Sequence, residues 1–177
     1  MSDSIGGTGT YTEGRFRFEF PGCVVSRPEK KKRPCRSRQV DFVVERNGHR
    51  VVFVEVKDPS DPEATEDRRK LFAKKMKNNE LVNNVLVPQC RDTFMALYLM
   101  GREWERIDYV VVLNLEAIPK AEAYLLALKE RLETRLRQEL DERWERQYLE
   151  NCIVLQPQDW ARHFNWATCT LVEEGAA

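Results

Sequence analysis

The chain has 177 residues, 42% of them hydrophobic and 33% charged, and its 29 basic side chains balance 29 acidic ones. This composition excludes collagen, low-complexity disorder and a membrane bundle, and no apolar run approaches the roughly 20 residues that a membrane helix needs. A chain of this length buries roughly two-thirds of its unfolded surface, so it holds a core without disulfide staples.

The neutral average hides local fields. Arg27 to Arg38 carries seven bases and one acid, Asp58 to Asp67 five acids and no base, and Glu66 to Lys77 six bases and two acids. Such fields steer charged ligands even when the net charge is zero. The five cysteines (23, 35, 90, 152 and 169) are odd in number and widely spaced, with no C-x-x-C and no zinc spacing. They read as free thiols in a reducing compartment, and the start shows no basic segment followed by an apolar one, so the expected location is cytoplasmic.

Residues 1–14 are rich in Gly, Ser and Thr and are expected to be a flexible N-terminal segment. The rest, 15–177, reads as one domain, with a core over about 15–115 and a helical extension over about 116–177. Arg15 to Phe20 alternates charged and aromatic side chains, the pattern of a half-buried strand stopped by Pro21-Gly22. Arg27 to Arg38, with Pro28 and Pro34, lacks periodicity and reads as an exposed loop. Two β-branched runs, Val40 to Arg46 and His49 to Lys57, flank Asn47-Gly48 and predict a hairpin. Its second strand is apolar from Val51 to Val54, so both faces are expected to be covered.

The Pro and Asp residues of 58–62 suit a turn and a helix start. Helices are expected over about 63–77 and 91–103, and a buried strand over 107–115. Pro119 opens a long expected helix to about Glu150. Its stripe runs Ala121, Leu125, Leu128, Leu132, Leu136, Leu140, Trp144, Tyr148. At 1.5 Å per residue that helix is about 45 Å long, more than one small domain covers, so its second half is a possible homodimer surface. A short strand at 152–155 and a last helix carrying Trp160 and Phe164 complete the order. The expected fold is α/β: a mixed central sheet with an antiparallel hairpin or meander, flanked by helices.

Three charged residues sit where this pattern does not want them: Asp41 at the start of one hairpin strand, Glu55 and Lys57 at the end of the other. Positions 55 and 57 share a face. A buried carboxylate needs a partner, a metal or a cleft. A two-residue Asn47-Gly48 turn sets Asp41 opposite Val54 and separates it from Glu55. A three-residue loop, Arg46 to Gly48, sets Asp41 opposite Phe53 with Glu55 diagonal on the same face, and a bulge serves equally well. A site here requires one of the latter two. Two carboxylates brought together make an oxygen cage for Mg²⁺, to which the Val56 carbonyl adds a ligand. A lysine beside them holds an attacking water and offsets phosphate charge, a combination suited to phosphodiester hydrolysis.

Asp41, thirteen residues, then Glu55-Val56-Lys57 resembles the core motif of the PD-(D/E)xK nuclease superfamily. The resemblance implies a restriction-endonuclease-like fold and a metal-dependent nuclease. In it, Asp41 and Glu55 are Mg²⁺ ligands (Mn²⁺ as substitute), Lys57 is the catalytic lysine, and DNA is the favoured substrate. The sequence departs from the family in three places. Val40 stands where many members carry Pro. The further N-terminal Glu has only Glu13 and Glu19 as candidates. No Gln-x-x-x-Tyr element is evident. Nucleic-acid contacts are expected from Lys30, Lys31, Lys32, Arg33, Arg36 and Arg38, and from Arg69, Lys70 and Lys74 of the following helix. The alternative is a catalytically inactive nuclease-like scaffold that binds nucleic acid or a protein partner.

Overall fold

The hairpin predicted from the β-branched runs lies at the middle of the sheet. In the computed structural model, which describes residues 5–6, 9–28, 38–139 and 142–172, β5 (Phe42–Arg46) pairs antiparallel with β6 (Arg50–Lys57). On the far side of β5 lie β4 (Val24–Ser26) and the two-residue β1 (Ile5–Gly6), both antiparallel. On the far side of β6 lie β7 (Arg106–Leu113) and then β10 (Asn151–Leu155), both parallel. The result is a mixed sheet of five strands plus a short edge strand, in the order β1-β4-β5-β6-β7-β10.

Strand alternation divides the core in two. Val43, Val51, Phe53, Val111 and Leu113 face the helices, while Phe42, Val44, Val52, Val54 and Val110 face a second sheet. The helical layer comprises α1 (Glu66–Lys77), α2 (Val87–Leu99) and α3 (Ala121–Arg137). The second sheet is antiparallel, β2 (Thr10–Glu13) and β11 (Thr168–Leu171) on either side of β3 (Phe16–Glu19). Between the sheets lie Phe16, Phe18, Phe20 and Phe42, closed by Trp160 of the four-residue α4 (Trp160–His163), whose indole N–H donates to the Ala167 carbonyl at 3.1 Å.

Four expectations are corrected. Residues 10–13 form β2 instead of belonging to a flexible segment, because Tyr11 packs on Phe20 and Phe42. The helix expected from Glu63 begins at Glu66, where the Thr65 hydroxyl caps the Arg68 N–H. The helix expected at 91–103 begins at Val87, after a π-helical turn over Val82–Leu86. Pro88 has no N–H for the carbonyl four residues back, which widens that turn, and the buried Tyr109 hydroxyl donates to the Leu86 carbonyl at 3.1 Å.

The fourth correction concerns the helix expected to reach Glu150, which stops at Arg137. A two-residue ladder follows, β8 (Gln138–Glu139) with β9 (Glu142–Arg143), and the chain folds back on α2. Trp144 stacks under Arg91 at 4.7 Å, and Tyr148 lies 4.7 Å from Phe94. A straight helix would have carried Trp144 about 10 Å beyond Arg137, away from both contacts. Among the described residues no helix is long and apolar enough to cross a membrane.

Candidate functional site

The hairpin register brings the two carboxylates together by neither expected loop. Arg46 pairs with Arg50, leaving Asn47, Gly48 and His49 in the turn, with Asn47 and Gly48 both left-handed (φ 55° and 71°). Phe42 then pairs with Val54, and one step further along the same register sets Asp41 across from Glu55. Directly opposed residues share a face, so both carboxylates point into the helical layer.

Asp41 is buried just before β5. Its Oδ2 accepts the backbone N–H of Val56 at 2.9 Å, which ties it to the strand carrying Glu55 and Lys57. The Val56 side chain packs on the opposite face, against the second sheet. Glu55 is fully buried between Asp41 and Val111. Its Oε1 accepts hydrogen bonds from Lys57 Nζ and, at 2.8 Å, from Gln89 Nε2 of α2. Its Oε2 is buried and has no hydrogen-bond partner among the described residues. Burial pushes the Glu55 carboxyl up from its ordinary 4.5 to about 7; neighbouring Asp41 adds to the rise, and Lys57 and Gln89 oppose it.

Gln89 has no place in the sequence expectations. The signal available was a polar side chain directly after the apolar run Val85-Leu86-Val87-Pro88. It is anchored through Thr93, whose hydroxyl donates to the Gln89 carbonyl at 2.7 Å and accepts the Val40 N–H at 3.0 Å. The same two residues therefore hold the start of β5 and the Glu55 carboxylate.

Lys57 opens onto a groove of about 390 Å³ lined by Asp58, Asp61, Glu63, Arg68 and Phe72. Asp58 is held by Arg15, whose Nε and Nη2 donate at 3.0 and 3.2 Å, and by Asn114 Nδ2 at 2.9 Å. The expected basic contacts disperse. Arg69 turns back to the Asp61 carbonyl at 2.9 Å, Lys70 pairs with Glu66 at 2.7 Å, and Lys74 is exposed. The exposed Arg38 is tied through its backbone N–H to Asp92 of α2 at 2.8 Å. Lys30, Lys31, Lys32, Arg33 and Arg36 lie outside the described residues. Glu13 pairs with Arg27 at 2.9 Å, and Glu19 is exposed on β3.

Among the described residues no group of three or more His, Cys, Asp or Glu side chains converges for a metal. Two carboxylates nevertheless fit Mg²⁺, which typically takes one or two from protein and completes its shell with water and phosphate oxygens. The unpaired Glu55 Oε2 is the specific feature that suits a cation. The described cysteines (23, 90, 152 and 169) are free, and burial pushes every one of these thiols up, those of Cys152 and Cys169 to about 12. They are not poised as nucleophiles. No family model matches the chain, and no curated protein or solved structure does.

Proposed function

We propose that the chain is a metal-dependent phosphodiesterase of PD-(D/E)xK type that acts on nucleic acid, with DNA the favoured substrate. The observation that carries this reading is Glu55 Oε2, a buried and unpaired carboxylate oxygen set across from Asp41 at the carboxyl end of a central strand. Asp41, Glu55 and the Val56 carbonyl would hold Mg²⁺ or Mn²⁺, which supplies a Lewis acid and neutralises charge on a phosphate. Asp41 is oriented by the Val56 N–H and Glu55 by Gln89, so both carboxylates are set before a ligand arrives. Lys57, partly exposed at the groove, orients the attacking water and stabilises negative charge developing on the phosphoryl oxygens. Arg68 lines the same groove and suits a backbone phosphate.

A second reading, an inactive scaffold of the same fold, is favoured by one observation. Asp58, Asp61 and Glu63 make the groove beside Lys57 largely acidic, which opposes a polyanion. One experiment separates the two. Plasmid, linear duplex, single-stranded DNA and RNA are each incubated with the protein in Mg²⁺, Mn²⁺ or EDTA, beside Lys57→Ala. Cutting that needs the metal and disappears in the variant supports the nuclease. A folded wild type that cuts none of these substrates rejects it in favour of the scaffold.

A further inference from the structure

At the opposite end of the sheet from Lys57, a second groove of about 570 Å³ opens at Ile107, near the start of β7. Six residues of extended strand separate that point from Leu113, which pairs with Lys57, so the two grooves lie about 20 Å apart. Phe94, Tyr98, Trp104, Trp144 and Tyr148 line it, a concentration of aromatic side chains that the groove beside Lys57 lacks. Beside it α2 ends in an apolar tip. Leu99 is 75% exposed and Met100 68%, and Met95 and Tyr98 are half exposed on the preceding turn.

This tip is not a frayed end. Gly101 takes the left-handed conformation (φ 74°), its N–H donates to the Tyr98 carbonyl at 2.9 Å, and the Arg102 N–H donates to the Leu97 carbonyl at 3.0 Å. That double closure is a Schellman cap, and it holds Leu99 and Met100 outward in a defined geometry. Arg102 is in turn fixed by Glu45 at 2.6 Å. An apolar projection rigidly presented to solvent next to an aromatic hollow marks an interaction surface, since tyrosine, tryptophan, methionine and arginine are the residues enriched at interface centres.

The geometry points to a second copy of this chain as the occupant, in a two-fold dimer. A two-fold interface must carry both complementary features on one patch, because the same surface meets itself. Projection and hollow are adjacent here, so the Leu99–Met100 tip of each copy enters the aromatic groove of the other. The charges agree. The rim carries the exposed Arg146 together with the exposed Glu103 and Glu105, both signs on one surface, which a two-fold rotation can set against each other. The same two glutamates oppose a nucleic-acid backbone. This interface replaces the one expected on the second half of a long helix: Trp144 and Tyr148 take part, but from the segment folded back on α2. The inference stands independently of the nuclease reading.

The test is sedimentation velocity of the full chain over a concentration series to about 100 μM, a range that captures micromolar association. Leu99→Glu, Met100→Glu and Leu126→Glu are run beside the wild type. The last places the same charge on an exposed leucine of α3 that does not line the groove. A wild-type dimer that Leu99→Glu and Met100→Glu weaken at least tenfold, and that Leu126→Glu leaves intact, supports the inference. Because Leu99 and Met100 are exposed, the variants keep the wild-type melting profile at monomer concentrations. A wild type that stays monomeric throughout overturns it, as does a dimer insensitive to Leu99→Glu or one lost in Leu126→Glu.

Discussion

Asp41 and Val56 are joined by a hydrogen bond from the Val56 N–H to Asp41 Oδ2 at 2.9 Å, so one candidate metal ligand fastens the backbone between the other two candidate site residues, Glu55 and Lys57. Asp41→Asn keeps an acceptor oxygen and removes the charge. It is expected to fold with near wild-type stability and to lose metal-dependent cutting. Asp41→Ala leaves a buried N–H unpaired and is expected to cost a further 1–3 kcal/mol or so. Urea unfolding of both variants beside the cleavage assay checks this; equal stability losses would show that the hydrogen bond does not hold the strand.

Glu55 sets a pH dependence in the metal-free protein. Its carboxyl is raised from 4.5 to about 7, first by burial and then by Asp41. Between those values the folded protein binds this proton more tightly than the unfolded chain. The group's contribution to stability is therefore greatest below pH 4.5 and falls as pH rises through 7, by roughly 3 kcal/mol. In EDTA, the difference in unfolding free energy between wild type and Glu55→Gln is expected to shift in favour of the variant from pH 5 to pH 8. A difference that stays constant over this range would place the Glu55 carboxyl at its ordinary value.

Gln89 is expected to act by position. Gln89→Ala removes the amide donor that holds Glu55 Oε1 and leaves Lys57 alone on that oxygen. Metal affinity is expected to fall about 10- to 100-fold, the usual effect of an outer-shell hydrogen bond, with cutting recovered at high metal. Isothermal titration with Mn²⁺ reads the affinity. Unchanged affinity would reduce Gln89 to a packing role.

Tyr109 lies fully buried behind the π-helical turn, and its hydroxyl donates to Leu86. Tyr109→Phe is expected to lower stability by about 1 kcal/mol, the net value of one buried hydrogen bond. Trp160→Ala, which empties the aromatic layer between the two sheets, is expected to cost about 3–5 kcal/mol. Thermal melts of the two variants rank these effects; the reverse order would mean that the second sheet contributes less than its buried rings imply.

The hairpin is legible in the sequence because its signals are local. β-branched runs around Asn47-Gly48 specify two paired strands, and the period of two puts Glu55 and Lys57 on one face. The stripe Leu128, Leu132 and Leu136 likewise marks the buried face of α3. The loop length is not local in this sense. Asn47 and Gly48 suit several turns, and the one adopted, with His49 as its third residue, shares with an Arg46–Gly48 loop, and not with a two-residue turn, the parity that keeps Val43, Val51 and Phe53 on the helices and Phe42, Val44, Val52 and Val54 on the second sheet. That choice alone sets Asp41 opposite Glu55.

Contacts between distant segments decided the rest. The strands β2 and β11 are four residues each and are held by β3, which brings Thr168 beside Glu19 from the far end of the chain. Helical periodicity ran on past Arg137 to Trp144 and Tyr148, but those rings are placed by Arg91 and Phe94 of α2 instead of by the next helical turn. Gln89 reaches Glu55 across 34 positions because Pro88 and Tyr109 shape the turn before it. The sequence by itself determined the central hairpin and the residue types at its open end. Only the tertiary structure decided which carboxylate faces which, because register and helix ends follow from how much apolar surface the whole chain buries, a quantity that no local window contains.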